Sequence, residues 1–250
     1  MKSKKYIIES AVSTLKLESD AILNLINHIN DDFVAVAQAI LKSKGRVIVT
    51  GIGKSAIIAQ KIVATFNSTG TPAIFMHAAD AVHGDLGMIQ KDDIVMCLSK
   101  SGNTPEIKLL APLLKRTNNL LIGILGQIDS DLAKQADFIL NTSVSKEACP
   151  HNLAPTTSTT AQLAMGDALA VCLLQAREFN TDDFARYHPG GSLGKRLYLK
   201  AGDLALKNEK PSILPNASVK VACGTIIVLH TIPSSSFRRS DKFNPSVDFN

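Results

Sequence analysis

Ser99-Lys-Ser-Gly-Asn-Thr-Pro-Glu106 is the stretch of this chain with the densest set of short hydrogen-bonding side chains. Ser99, Ser101, Asn103 and Thr104 flank Gly102, which relaxes the backbone. Pro105 suits the first turn of a helix. Free N–H groups at such a start, together with the hydroxyls, make an anion cradle. The cradle needs no arginine, so it suits a monophosphate on a small molecule. Glu106 lies just inside the same helix. It is either a favourable charge at a helix N-terminus or an acid–base group.

Gly51-Ile-Gly-Lys-Ser55 is the second candidate. A Walker A loop requires glycine five positions before Gly53, where Ile48 stands, so that reading fails. Gly51, Gly53 and Ala56 formally meet a dinucleotide fingerprint, but no acid closes the following strand at the expected distance. A glycine turn that sets Lys54 and Ser55 at the mouth of a sugar-phosphate site is the third reading. A plain turn with a surface lysine is the fourth.

Further along, His83-Gly-Asp-Leu-Gly87, Lys146-Glu-Ala-Cys-Pro150 and His188-Pro-Gly-Gly-Ser-Leu-Gly194 each offer an imidazole or a carboxylate. Thr156-Thr-Ser-Thr-Thr160 is a hydroxyl run after Pro155, and Thr157 and Ser158 in it are a second phosphate-side candidate. His83, Asp85, Cys149 and His188 are types that ligate metals. They show none of the spacings of a required metal site, so none is expected.

These stretches fall between elements of alternating type. Short apolar, β-branched runs at Arg46–Thr50, Ala73–Met76, Ile94–Leu98, Leu120–Ile124 and Phe138–Leu140 read as buried strands. Helical patterns lie between and around them: Phe33–Lys42 after Asp31–Asp32 and closed by Gly45, then Ala56–Asn67, Pro105–Arg116 and Thr156–Phe179. Strand–helix alternation predicts a parallel sheet covered on both faces. Such sheets bind ligands beyond the carboxyl ends of their strands. Ile8, Leu15, Ile22 and Ile29 recur every seven residues, with Val12 and Leu25 beside them, and predict one face of a long N-terminal helix.

Composition limits the alternatives. With 250 residues, 45% apolar and 20% charged, the chain has the make-up of a globular protein. Five per cent aromatic residues and no Trp argue against a stacking surface for single-stranded nucleic acid. The net charge of +5 resides entirely beyond residue 194, and residues 1–194 balance at 18 to 18. No nucleic-acid or membrane partner is expected. The four cysteines, Cys97, Cys149, Cys172 and Cys223, form no C-x-x-C. With no signal-peptide core and no apolar run of about 18 residues, the expectation is a cytoplasmic protein.

G-I-G-K-S, A-V-H-G-D-L-G-M, L-S-K-S-G-N-T-P-E-I, K-E-A-C-P, L-A-P-T-T-S-T-T and H-P-G-G-S-L-G occur in this order. In this combination the chain resembles the sugar-isomerase (SIS) domain of D-arabinose 5-phosphate isomerases over roughly residues 5–222. The resemblance implies a three-layer α/β/α sandwich with a five-stranded parallel sheet, flavodoxin-like, and a homotetramer. It implies interconversion of D-ribulose 5-phosphate and D-arabinose 5-phosphate, which supplies the eight-carbon acidic sugar Kdo. By position it assigns catalytic roles to Lys54, His83, Glu106, Glu147 and His188. Phosphate contacts fall to Gly53, Ser55, Ser99, Ser101, Asn103 and Thr104, with Thr157 and Ser158 beside them. His83 is a candidate ligand for an inhibitory metal only. Lys100 stands where many relatives have asparagine, and Ala78 and Asp80 also depart from the usual pattern.

Such an isomerisation moves a proton between C1 and C2 through an enediol. It asks for a carboxylate, an imidazole, a positive charge and a phosphate anchor, and for no cofactor. The alternatives are an SIS isomerase for another phosphosugar, a sugar-phosphate sensor without turnover, and, more distantly, an NAD-linked dehydrogenase. Residues 1–202 read as the SIS domain. Residues 203–250 read as an incomplete CBS-like remnant with a disordered tail, so regulation through a full CBS pair is not expected.

Overall fold

The computed structural model describes residues 2–191. The CBS-like remnant, the tail and the end of the H-P-G-G-S-L-G stretch lie outside the described residues. The strands are β1 (Val47–Gly51), β2 (Ala73–His77), β3 (Ile94–Ser99), β4 (Leu120–Leu125) and β5 (Phe138–Asn141). They form one five-stranded sheet, all parallel, in the order β2-β1-β3-β4-β5. The α/β sandwich expected from the strand–helix alternation is the fold observed.

Alternation along each strand divides the core in two. Val47, Val49, Met96, Leu98, Ile122 and Ile124 point to one face. There they meet α2 (Asp31–Lys42), α3 (Lys54–Ser68) and α7 (Thr157–Ala176) through Val36, Ile40, Ile62, Phe66, Met165 and Leu169. Ile48, Met76, Val95, Cys97 and Leu121 point to the other face. Ile107, Leu110 and Leu114 of α5 (Pro105–Arg116) and Leu132 of α6 (Asp131–Gln135) cover them. Both faces are dry, which is why the strands read as continuous apolar runs rather than alternating ones. Helices α3 and α7 approach closely at Gly166, where a Cβ would lie 2.5 Å from Ile62.

Two expectations need correction. The N-terminal helix α1 (Lys4–Asn24) stops before Leu25, and a 3₁₀ turn (Leu25–His28) carries the chain on. Among the described residues Ile8, Leu15 and Ile22 of its apolar stripe are all exposed, and α1 has no buried residue. Gly45 does not close α2, whose C-cap is Ser43. Gly45 instead lets the backbone approach Asp92, whose carbonyl oxygen would sit 2.1 Å from a Cβ. The threonine opening α7 makes no side-chain cap, because a glutamate from another loop takes that place, as described below. Two short helices went unread, α4 (Ala78–Ala81) and α8 (Thr181–Tyr187).

Candidate active site

The strand order reverses between β1 and β3, with Gly51 in register with Leu98. Loops leaving neighbouring strands on opposite sides of such a switch point open a crevice between them. One of these loops is Gly51–Ser55 and the other is Ser99–Glu106. Gly53 has φ 58° and ψ −128°, a conformation open to glycine alone. It turns the chain so that Lys54 begins α3, exposed at the crevice. Ser55 turns away: its hydroxyl donates to Gln162 Oε1 on α7 at 3.1 Å.

The Ser99 loop is built from its own hydroxyls. Ser99 Oγ accepts from Gly102 N–H at 2.9 Å, and Ser101 Oγ accepts from Asn103 N–H at 3.3 Å. Gly102 has φ 61°, and a Cβ there would lie 2.1 Å from Ser130 Oγ. Asn103 Oδ1 accepts from Asp131 N–H, tying the loop to α6. Thr104 is the N-cap of α5 but makes no cap with its side chain. Among the described residues the N–H groups of the first α5 turn, where Pro105 lacks one, thus receive no cap from the Thr104 side chain. Buried polar atoms with no partner among the described residues gather at this edge of the sheet. They are Thr50 Oγ1 near the end of β1, His77 Nδ1 at the end of β2, Thr104 Oγ1, Thr142 Oγ1 just after β5, and Gln162 Nε2. Burying such atoms is costly, so this edge of the sheet is not a purely apolar packing surface.

Glu147 is the most constrained acid in the site. Its side chain is fully buried. Oε2 accepts from the N–H groups of Thr156 and Ser158 at 2.9 and 3.1 Å, so the carboxylate caps α7. Ser158 Oγ donates to Oε1 at 2.5 Å, and Lys100 Nζ lies 2.7 Å from the same oxygen. Burial pushes the Glu147 pKa up, but Lys100, Ser158 and the two N–H groups outweigh it and hold it at about 2. Thr157 Oγ1 accepts from Ala148 N–H at 3.1 Å. The hydroxyls of Thr157 and Ser158, expected to face a phosphate, are thus committed to holding the Lys146–Pro150 loop.

Glu106 is exposed in the first turn of α5, beside the cradle. His83 is exposed in the turn after α4, beyond β2, on the same edge of the sheet. The structure does not bring His188 to them. Tyr187 stacks on Phe179, and Phe179 packs on Gly70, which precedes β2. His188 follows directly, so it sits where strands begin, a strand length of about 17–20 Å from where they end. Its Nδ1 lies 2.9 Å from Phe184 O and its ring stacks on Phe184. Within one chain, Lys54, His83, Glu106 and Glu147 follow the ends of strands, and His188 lies away from them.

Sequence reading missed the roles of Lys100 and Gln162. It also missed a cavity of about 350 Å³ beside Glu147, lined by Lys146, Cys149 and Asn152 and by Thr14, Lys16 and Asp20 of α1. Cys149 accepts N–H groups of Ala154, Leu153 and His151, which lower its thiol pKa. Among the described residues, no three His, Cys, Asp or Glu side chains are grouped to hold a metal. Among the same residues, no helix is long and apolar enough to cross a membrane.

This is a doubly wound α/β protein with a hydroxyl-rich loop where its strand order reverses. The SIS domain family matches residues 40–172, more than half of the chain, and the chain belongs to that family. Arabinose 5-phosphate isomerase KdsD of Pseudomonas aeruginosa is 52% identical over 213 residues, covering 85% of this chain and 65% of the relative. The enzyme of the same name from Escherichia coli K12 is 46% identical over 215 residues, covering 86% and 66%. The matched chain therefore spans just under two thirds of these curated relatives. A protein of E. coli CFT073, solved in complex with arabinose 5-phosphate, superposes with a TM-score of 0.72 at 39% identity, over 75% of this chain and all of that one.

Proposed function

We propose that this chain is an aldose–ketose isomerase that interconverts D-ribulose 5-phosphate and D-arabinose 5-phosphate and supplies Kdo synthesis. The observation that carries the reading is the Ser99–Thr104 cradle at the switch point, next to Lys54 and flanked by Glu106 and Glu147. The 52% identity over 213 residues to an arabinose 5-phosphate isomerase supports the choice of sugar.

In this reading the cradle and the first α5 turn hold the phosphate, which fixes C1 and C2 before the carboxylates. Glu106 or Glu147 carries the proton between the two carbons. His83 serves the oxygen proton, and Lys54 stabilises the enediolate as charge develops. His188 enters only from a second copy of the chain. The exposed Ile8, Leu15 and Ile22 stripe of α1 supports such self-association, and a homotetramer in the cytoplasm is the assembly we assign. No cofactor takes part in the proton transfer.

The test is product identification. The protein is incubated with ribulose 5-phosphate without added cofactor, and the product is resolved by chromatography. Arabinose 5-phosphate supports the proposal. Ribose 5-phosphate or xylulose 5-phosphate selects another phosphosugar isomerase, and saturable binding without turnover selects a sensor.

A further inference from the structure

Lys100 is the one cation that touches Glu147 among the described residues, and it belongs to the phosphate loop. Its backbone carbonyl and Cγ lie over Gly126, at the end of β4, where a Cβ would be 2.7 Å from that carbonyl. Gly126 lets the lysine cross from β3 toward the loop after β5. The two partners are unequal. The Glu147 side chain is fully buried and held by four other donors, whereas the Lys100 side chain is 41% exposed. If the pair opens, Lys100 is the member free to move.

We propose that Lys100 is a positioning residue shared between Glu147 and the phosphate of the substrate: it holds the carboxylate and leaves it when a phosphate enters the loop. This rests on the isomerase reading for its purpose but not for its test. A phosphate bound at the first α5 turn lies in the same loop as Lys100 and carries at least one full negative charge between neutral pH and about 3.5, on more oxygens than a carboxylate. A charge-assisted contact to it competes directly for the ammonium. Loss of the ammonium leaves Glu147 buried with less to offset its desolvation, so its proton affinity rises. A carboxylate clamped as a very weak base becomes a competent one only when substrate is present. The other charged or titratable groups around it are Cys149 and Lys146 on its own loop, with Lys16 and Asp20 of α1 across the cavity. They remain in place in either state.

The experiment titrates the Glu147 side-chain carboxyl by ¹³C NMR in the full chain, with and without inorganic phosphate. Wild type, Lys100→Met and Lys100→Arg are compared. Without phosphate, the wild-type signal stays flat from neutral pH to about 3.5, and the Lys100→Met signal moves within that window, its midpoint raised by about one pH unit or more. Lys100→Arg behaves as wild type. Added phosphate brings the wild-type signal into the window and leaves Lys100→Met unchanged. A Lys100→Met signal as flat as wild type overturns the proposal, and so does a wild-type signal that ignores phosphate. In turnover, the acid limb of kcat/KM rises by a similar amount in Lys100→Met and is restored in Lys100→Arg. A wild-type protein that turns over no phosphosugar refutes the isomerase reading, while the titration still decides the role of Lys100.

Discussion

Ser158 holds Glu147 twice, once through its hydroxyl at 2.5 Å and once through its N–H at 3.1 Å. The acid of one loop thereby closes the start of α7. Ser158→Ala keeps the N–H but removes the shorter bond and leaves a buried charged oxygen with one donor fewer. The unfolding free energy should fall by about 1.5–3 kcal/mol, the usual range for a hydrogen bond to a charged group. Urea denaturation at neutral pH checks this.

Glu147 also shapes the response to acid. Its folded pKa, about 2, lies below the ordinary glutamate value. Its contribution to stability is therefore fully present above that ordinary value. It is lost as the pH falls from there through about 2. Asp93 and Asp137 are lowered as well and add stability of the same sign. Glu147→Gln should be less stable at neutral pH and should lose part of the decline between about pH 5 and 3, not all of it. Unfolding curves measured across that range give the slope.

Two glycines of the site should respond differently to alanine. Gly102 has a positive φ and would drive a Cβ into Ser130, whereas Gly53 has a positive φ with nothing within 4 Å. Gly53→Ala meets backbone strain only, of order 1–3 kcal/mol. Gly102→Ala must also displace the loop from α6. Gly102→Ala should raise KM for the phosphosugar by about tenfold or more, the effect of losing roughly one charge-assisted contact. Gly53→Ala should weaken substrate less. Initial-rate kinetics on both variants decide.

Much of the fold was legible because each strand is buried on both faces. Short runs such as Val47–Thr50 and Ile94–Leu98 stand out against polar turns, and the strand boundaries differ from expectation by only one residue or so. Pro105–Arg116 was legible at both ends because Pro105 sets the first turn and basic residues fill the last. The Lys100–Glu147 pair was not, since its members meet only through the β3-β4-β5 order, which sequence spacing does not express. The side of the sheet occupied by His188 was hidden for a related reason. The length of α7 carries the chain from one edge to the other, and α8 then packs near Gly70 rather than returning.

The position of His188 makes its own prediction. If a second copy supplies it, Lys54→Ala and His188→Ala proteins should each be nearly inactive alone. Mixed, and allowed to exchange subunits, they should regain measurable turnover, because some sites then hold both native residues. A mixture as inactive as its parts would contradict the supply of His188 by a second copy.

Solvent exchange during turnover probes the chemistry itself. Ribulose 5-phosphate is supplied to the full chain in D₂O, and deuterium in the product is followed by NMR. Proton transfer through an enediol predicts arabinose 5-phosphate labelled at C2. It also predicts incorporation slowed by about 100-fold or more in Glu106→Gln or Glu147→Gln, the low end of acid–base contributions. Wild-type rates of incorporation in both glutamine variants, or no aldose from the wild-type chain, would contradict it.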